Sequence, residues 1–300
     1  MAHNPITVEL IRTLEAIEQH GSFAAAAEHL HKVPSALTYT LQKAEKDLEI
    51  ELFDRSGHRA EWTEAASHIL QEGRRILTAL ENLGHSAQRL AEGWTAQYSV
   101  ALDHLLDFQH LVPMLSLARQ EIPWVPIHVK QGALSGTWEL LLDHQADLVI
   151  APAHARPDRD DIRTQPLGKI RMVLALSRHH PLAEADRPLT EEELAPYPVV
   201  TISDTARQIP ALSAGLQWRR QRFLVPDMAT KITAQKEGLG VGLLPMHRIQ
   251  QEVLAGDLVI KSLASDQREP DITIVAGWRQ GDSDKTHDWI MEHLDLLAVN

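Results

Sequence analysis

Apolar side chains recur at helical spacing through the first fifty residues and predict three short helices. The first helix covers Thr7 to Gln19, and its apolar positions are Leu10, Ile11, Leu14 and Ile17. Thr7 is a suitable N-cap, and Gly21 can adopt the left-handed conformation that ends a helix. A second helix is expected from Ser22 to Leu30, with a hydroxyl cap at its first residue.

The third helix begins after a tight connection at His31–Val33. Pro34 and Ser35 favour a helix start, and an apolar stripe follows at Leu37, Leu41, Ala44 and Leu48. Short helices joined by so brief a turn fit a helix-turn-helix. A small helical bundle with only a structural role fits the same periodicity.

The segment Leu52–Thr63 favours the helix-turn-helix interpretation, because it reads as a two-stranded ribbon turning at Ser56–Gly57. Arg55, His58 and Arg59 gather near its tip. A basic hairpin beside a helix-turn-helix is a winged arrangement, in which the helix enters the major groove and the wing contacts the adjacent backbone or minor groove.

Residues 63–93 carry a heptad pattern that predicts a dimer-forming helix. Two series repeat every seven positions: Ile69, Ile76, Leu83 and Leu90, and Ala66, Gly73, Leu80 and Ala87. A strict sevenfold period indicates a partner helix, and small residues at 66, 73 and 87 would permit close, antiparallel approach. The alternative is one amphipathic helix that packs on its own domain.

Strands and helices alternate through residues 94–300. The first set is strand Tyr98–Leu102, helix Leu105–Glu121, strand Pro126–Lys130, helix Thr137–His144 and strand Asp147–Ala151. This βαβαβ order predicts a parallel sheet. After a Pro- and Asp-rich connection over Pro152–Pro166, the second set is strand Ile170–Leu176, strand Pro198–Ile202, strand Arg222–Val225, helix Met228–Glu237, strand Val241–Leu244, strand Asp257–Leu263, strand Ile272–Trp278 and helix Ser283–His293.

Two α/β lobes with repeated crossings, near Gln165–Leu167 and Lys261–Ala264, match the architecture of periplasmic binding proteins. Such lobes bind small ligands in the crevice at strand ends, where helix N-termini present free N–H groups. The candidate effector-binding residues are Asp103, His104, Leu134, Ser135, Thr137, Thr201, Ser203, Asp204 and Thr230. Hydroxyls and helix N–H groups suit a carboxylate or hydroxylated ligand, whereas Asp103 and Asp204 disfavour a strongly anionic ligand unless they point away.

The N-terminal segment resembles that of LysR-type transcriptional regulators. The matching stretches are Gly21–Phe23, Ala24–Leu30, Pro34–Thr38, Ala44–Glu45, Leu48, Leu52–Arg55 and Thr63–Ala65. They match in order and spacing, and a weaker resemblance extends along the whole chain. Tyr39 and Ala44 depart from the family pattern, which usually has arginine and leucine there, so an arginine–guanine contact at position 39 is not expected.

The resemblance implies an α/β protein with a winged helix-turn-helix over 1–62, a linker helix over 63–93 and a two-lobed effector domain over 94–300. Lobe I would cover about 94–165 and 265–300, and lobe II about 166–264. The implied DNA-binding residues are Pro34, Ser35, Ala36, Thr38, Tyr39, Gln42, Lys43, Arg55, His58 and Arg59. Paired linker helices imply a homodimer, and the resemblance implies a tetramer as well, on double-stranded DNA with an inverted repeat; either assembly could be the working form.

Composition limits the other classes of function. Cysteine is absent, which excludes disulfides and thiolate chemistry. We found no membrane-length apolar run, no secretory signal pattern, no hydrolase elbow and no phosphate-binding loop, and Gly238–Gly242 follows a helix rather than a strand. We therefore expect a cytoplasmic protein, neither an enzyme nor membrane-bound, with no catalytic residues, metal site or cofactor.

The net charge of −12 does not by itself suggest a nucleic-acid binder. Placement of the basic residues on one face can still allow DNA binding, with modest nonspecific affinity. Our main hypothesis is a DNA-binding transcriptional regulator controlled by a small-molecule effector. The alternative is a small-molecule binding protein whose N-terminal helices serve only for dimerisation.

Overall fold

The computed structural model describes residues 4–56, 60–212, 221–264 and 271–299. The chain divides into two compact units, Met1–Ala91 and Glu92–Asn300. Within the described ranges, no helix combines the length and apolar character that a membrane span requires.

The first unit is a three-helix cluster followed by a short ribbon and a long helix. Its elements are α1 (Val8–His20), α2 (Phe23–His29), α3 (Pro34–Leu48), β1 (Phe53–Asp54), β2 (Glu61–Trp62) and α4 (Glu64–Ala91). The predicted caps are confirmed: Thr7 Oγ1 accepts from the Leu10 N–H at 3.1 Å, and Ser22 Oγ accepts from the Ala25 N–H at 3.2 Å. Gly21 ends α1 in the left-handed conformation, with φ of 70°.

The apolar stripes of the three helices face one another and form a core. Leu10, Leu14, Leu37 and Leu41 are fully buried in it. The ribbon is attached to this core through Phe53, whose ring lies 5.1 Å from Phe23 and 4.9 Å from Trp62. The wing therefore belongs to the same packed unit as the helix-turn-helix.

Helix α4 carries two apolar stripes rather than one. Ala66, Leu70, Gly73 and Leu77 are buried within the first unit. A Cβ atom on Gly73 would lie 2.6 Å from the Ile11 side chain, so this glycine permits close approach of α1. The prediction that Ala66 and Gly73 face a partner helix is wrong, because α1 of the same unit occupies that side.

The second unit is an α/β domain with two lobes. Its elements are β3 (Tyr98–Asp103), α5 (Val112–Glu121), β4 (Ile127–Gly132), α6 (Ser135–Leu142), β5 (Leu148–Pro152), β6 (Ile162–Ser177), α7 (Glu191–Leu194), β7 (Val199–Ile202), β8 (Arg222–Val225), α8 (Met228–Lys236), β9 (Gly242–Pro245), α9 (Gln250–Leu254), β10 (Leu258–Lys261), β11 (Asp271–Arg279) and α10 (Lys285–Glu292).

In the first lobe, β3 pairs in parallel with both β4 and β5, as the βαβαβ order predicts. Strand β11 returns antiparallel to β5 and extends this sheet. Helix α10 packs against the same lobe, where Tyr98 Oη and His287 Nδ1 lie 2.9 Å apart. The C-terminal segment thus adds to the first lobe.

Strand β6 runs through both lobes. Its first part pairs antiparallel with β11, and its last part lies between β9 and β10 in the second lobe. The register of β6 with β11 shifts between Ile274 and Val275. Parallel strands β7 and β8 complete the second lobe, where β7 joins the sheet through a bridge from Val199 to Val241.

Two predicted boundaries in this unit are wrong. Strand β6 already begins at Ile162, so the connection expected over Pro152–Pro166 ends earlier than predicted. The crossing between the lobes predicted near Gln165–Leu167 therefore lies inside β6. Helix α5 starts at Val112 rather than Leu105, after a 3₁₀ turn over Phe108–Leu111. The Asp107 carboxylate caps that turn by accepting a hydrogen bond from the Gln109 N–H at 2.8 Å, so a helical segment begins there and not at Leu105.

The second crossing was predicted at Lys261–Ala264, which the structure places with the second lobe. Leu263 forms a bridge with Leu189, and the Ala264 N–H donates to the Leu189 carbonyl at 2.8 Å. By Asp271 the chain pairs with Arg171 in β6. The described chain thus lies with the second lobe at Ala264 and pairs along β6 from Asp271.

Candidate functional site

The exposed face of α3 carries most of the residues predicted to contact DNA. Leu37 and Leu41 are fully buried, so the helix positions between them turn outward. Tyr39 is 67% exposed, and Gln42 and Lys43 are also exposed. The predicted residues on this helix that lie at the surface or half-buried are Pro34, Ser35, Ala36, Thr38, Tyr39, Gln42 and Lys43.

Hydroxyl groups on α3 are partly used within the helix. Thr38 Oγ1 donates to the Pro34 carbonyl oxygen at 3.1 Å. This bond uses the hydroxyl hydrogen and leaves the oxygen lone pairs and the methyl group for a groove contact. Tyr39 is therefore the most prominent side chain on this face, with a phenol that can donate to a phosphate or contact a thymine methyl.

The wing is held to α3 by Glu45. One of its carboxylate oxygens accepts from the backbone N–H groups of Leu52 at 2.9 Å and Phe53 at 3.3 Å. The other oxygen lies 3.4 Å from the guanidinium of Arg55, which is half exposed. The Glu45 carboxylate thus contacts both Arg55 at the base of the wing and the backbone at the start of β1. The other two predicted wing residues, His58 and Arg59, lie outside the described residues.

A cavity of about 560 Å³ lies between the two lobes of the second unit. Its first-lobe wall consists of residues at or directly after the ends of three parallel strands: Asp103 and His104 at the end of β3, Ala133 and Leu134 after β4, and Ala153 and His154 after β5. Its other lining residues are Leu105, Met172, Thr201, Ile202, Met228, Lys231, Leu243, Asp271, Ile272 and Thr273. This is the position at which open parallel sheets bind ligands.

Asp103 is buried at the end of β3, and donors of its own lobe surround its carboxylate. It accepts from the N–H groups of Leu105 at 3.0 Å and Leu134 at 2.9 Å, and from the Thr137 hydroxyl at 3.0 Å. Burial raises the pKa of Asp103 to about 6, although these hydrogen bonds oppose the shift. The carboxylate thus organises the start of α6 rather than standing free in the cavity.

Leu134, immediately before α6, has an unusual backbone conformation, with φ of 53° and ψ of −124°. A non-glycine residue there is strained and depends on surrounding contacts. The bond from its N–H to Asp103 is one such contact, and its side chain lines the cavity.

The second lobe docks on α6 through Asp204. Its carboxylate accepts from the N–H groups of Gly136 at 2.9 Å and Ser135 at 3.3 Å. Thr205 Oγ1 accepts from the Ala133 N–H at 2.9 Å, and Glu139 accepts from the Arg207 N–H at 2.7 Å. We call Ser203–Gln208 the strap, because it joins the second lobe to this helix.

These contacts correct one expectation about the cleft. The N–H groups at the start of α6 were predicted to be free for a ligand, but those of residues 134 to 136 donate to Asp103 and Asp204. Both aspartates therefore point toward α6, and their negative charge is directed at the positive end of a helix dipole. A ligand has to find its polar partners elsewhere in the cavity.

Lys231 of α8 lies on the opposite wall, and its side chain is almost completely buried. Its ammonium donates to the Leu243 carbonyl oxygen at 2.8 Å. In the described parts of the chain no carboxylate lies within 4.0 Å of this ammonium. Burial accordingly lowers its pKa to about 8.

The structure separates the nine predicted effector residues into two groups. Asp103, His104, Leu134 and Thr201 line the cavity. Ser135, Thr137 and Asp204 form the contacts around α6, the Ser203 N–H donates to the Val225 carbonyl, and the Thr230 N–H donates to the cap residue Asp227. The second group thus positions elements around the cavity and does not form its lining.

Lys231 was missed by reasoning from sequence, although a signal was present. In the predicted helix over Met228–Glu237 it lies three residues after Met228 and beside Ile232, both of which are buried. A lysine on the apolar face of a helix indicates a buried charge with a role. In the described chain, no group of three histidine or acidic side chains could hold a metal ion.

Two family models match the chain. Residues 8–67 match the bacterial regulatory helix-turn-helix protein model of the lysR family, and residues 91–297 match the LysR substrate binding domain. The two matches correspond to the helix-turn-helix unit and to the unit that holds the cavity.

Relatives of similar length are found in Escherichia coli strain K12. The chain is 32% identical over 282 residues to the uncharacterized HTH-type transcriptional regulator YeeY, which covers 94% of this chain and 91% of the relative. It is also 32% identical over 293 residues to the probable HTH-type transcriptional regulator YhaJ, covering 97% of each chain.

Solved structures agree with the fold. A Corynebacterium glutamicum OxyR C206 mutant aligns with a TM-score of 0.59 over 98% of this chain and 93% of that chain, at 20% identity. At that identity the likeness concerns the fold alone.

Proposed function

The chain belongs to the LysR family of bacterial transcriptional regulators, and we propose that it reads an inverted-repeat operator under the control of an effector bound between its lobes. Its helix-turn-helix binds DNA and its C-terminal unit is an effector-binding domain, so it is a transcription regulator and not an enzyme. The observation that carries the proposal is the cavity of about 560 Å³, whose walls come from both lobes.

A ligand in this cavity would touch both lobes at once. Leu134 lies on the first-lobe wall and Lys231 on the second-lobe wall. Such a ligand favours the lobe arrangement in which both contacts form, and it shifts the population toward that arrangement. The candidate lining residues from the sequence, Asp103, His104, Leu134 and Thr201, remain part of this proposal.

For DNA, we propose that α3 enters the major groove with Tyr39 and Gln42 foremost. Arg55 at the base of the wing, together with Lys43, would contact phosphates. His58 and Arg59 are proposed to extend that contact. Because a regulator must reach chromosomal DNA, we place the protein in the cytoplasm.

For assembly, we propose a homodimer through α4 that assembles further into a tetramer. Family members oligomerise, and this helix presents a stripe at Ile76, Leu80, Leu83 and Leu90 that is 43–65% exposed. These positions follow the heptad spacing of 4, 3 and 7, which suits a partner helix. Two paired chains would present two recognition helices to an inverted repeat.

The proposal is tested by selecting binding sequences from a random DNA pool with the full chain. We expect an inverted-repeat motif, bound in a salt-sensitive manner. Metabolites that stabilise the protein should then change the gel-shift affinity or footprint on that motif. Recovery of no motif would instead favour a small-molecule binding protein without a DNA role.

A further inference from the structure

We propose that the effector is a small organic monoanion with an apolar body, whose charged group pairs with the ammonium of Lys231. This inference rests on the proposed function, because it names the class of ligand for the same cavity. It is carried by a buried cation that lines the cavity and has no counter-charge among the described residues.

Lys231 makes fewer hydrogen bonds in the described chain than its ammonium can donate. Its side chain is 7% exposed, and its one hydrogen bond in the described chain goes to the Leu243 carbonyl at 2.8 Å. An ammonium carries three donor hydrogens, so donors remain for a ligand. Because a buried ammonium without an acceptor for each proton is unfavourable, a ligand anion would relieve this cost.

Other titratable side chains also line the cavity. Asp103 is satisfied by three donors of its own lobe, and Asp271 is exposed to water. Burial lowers the pKa values of His104 and His154, which disfavours their charged forms. The remaining positive charge of Lys231 selects for a single negative charge on the ligand.

Most of the other lining residues are apolar: Leu105, Ala133, Leu134, Met172, Ile202, Met228, Leu243 and Ile272. These side chains favour an aliphatic or aromatic body. Phosphate esters and dicarboxylates would bring a second charge with no partner here. Carboxylates of one charge are therefore the expected class.

The position of Lys231 also explains how an anion can bind beside Asp103 and Asp204. Both aspartates are directed at the start of α6 on the first-lobe side, whereas Lys231 projects from α8 on the second-lobe side. The anion is thus expected at the α8 wall and its apolar body against Leu134. This arrangement places the ligand's charge away from the two carboxylates.

The test compares acids with their neutral amides on the full chain. The probes are phenylacetate against phenylacetamide and hexanoate against hexanamide, measured by thermal shift and calorimetry. We expect the acids to raise the melting temperature and to bind at least about tenfold more tightly than the amides, since the amides leave a buried charge unpaired. Equal binding of acid and amide, or no binding of either acid, would overturn the proposal.

Variants locate the interaction. K231M should lose the preference for acids, and K231Q, which keeps a donor without the charge, should lose it as well. K236M is the matched control, because Lys236 lies on the same helix but pairs with Asp257 at 3.0 Å. A preference for acids that persists in folded K231Q, as judged by circular dichroism, would contradict the assignment.

The same proteins distinguish this inference from the proposed function. If the chain selects a DNA motif but does not prefer acids, the ligand class is wrong and the regulator assignment stands. If acids bind through Lys231 but no DNA motif is selected, the ligand class is supported and the proposed operator reading fails.

Discussion

The carboxylate of Asp204 in the second lobe accepts a hydrogen bond at 2.9 Å from the N–H of Gly136 in the first lobe. The chain thereby caps one of its own helices across the cleft. A second link between the lobes is the bond from the Arg248 guanidinium to the Leu106 carbonyl at 2.8 Å. The lobes are thus held by polar contacts that leave the cavity between them.

The close approach at Gly136 predicts the effect of G136A. A Cβ there would lie 2.0 Å from Thr205 Oγ1 and 2.6 Å from the Ala206 nitrogen, so the strap must move away. We expect a loss of about 1–3 kcal/mol from the second unit. Hydrogen exchange should show faster exchange in the strap. The matched control is G84A in α4, where the space is open and a gain of about 0.5–1 kcal/mol is expected.

Lys231 predicts an unusual dependence of stability on pH. Its pKa falls from 10.5 to about 8 on folding, so the folded state binds fewer protons than the unfolded state between these values. Stability of the ligand-free second unit should therefore rise with pH between about 8 and 10.5, by up to roughly 3 kcal/mol. Denaturant unfolding across this range measures the effect.

The control for this prediction is K231M, which removes the titrating group. The rise assigned to Lys231 should disappear, and stability at pH 7 should exceed that of the parent chain, since an unpaired buried charge is lost. A variant less stable than the parent at pH 7, with the alkaline rise intact, would show that Lys231 does not carry this effect.

Arg55 and Glu45 predict separable effects on the wing. R55A should weaken DNA binding on all sequences and reduce the salt slope by about 1, while stability changes little because the Arg55 side chain is half exposed. E45A should also lower stability by about 1–3 kcal/mol, because the N–H groups of Leu52 and Phe53 lose their acceptor. Gel-shift titrations over salt, with parallel unfolding curves, separate the two. An unchanged salt slope in R55A would exclude it from phosphate contact.

The exposed stripe on α4 predicts the effect of a charge on assembly. Leu83 is 65% exposed, so L83E should weaken self-association at least about tenfold without unfolding the chain. N82E adds the same charge one position away, off the heptad series, and should assemble normally. Analytical ultracentrifugation compares the two, and equal assembly would place the dimer contact elsewhere.

Helix caps, tight turns and the pairing of successive strands could be predicted from the sequence, because they depend on nearby residues or on the order of the elements. The caps at Thr7 and Ser22 and the turn at Gly21 depend on side chains within four positions, so they could be predicted. The parallel pairing of β3 with β4 and β5 followed from element order. The family itself was visible because the helix-turn-helix and wing motifs lie within one short segment.

Tertiary structure decided the features that depend on distant neighbours. Strand β6 begins at Ile162 because β11, over a hundred positions later, supplies its backbone partners. The heptad pattern of α4 predicts which positions are apolar but not what covers them. Ala66 and Gly73 are buried in the first unit, whereas Leu80 and Leu83 stay exposed, although both sets recur with the same helical period. The spacing of Lys231 from Met228 and Ile232 places it on the apolar side of α8, but only the packing of the surrounding elements shows that its side chain is buried beside the cavity.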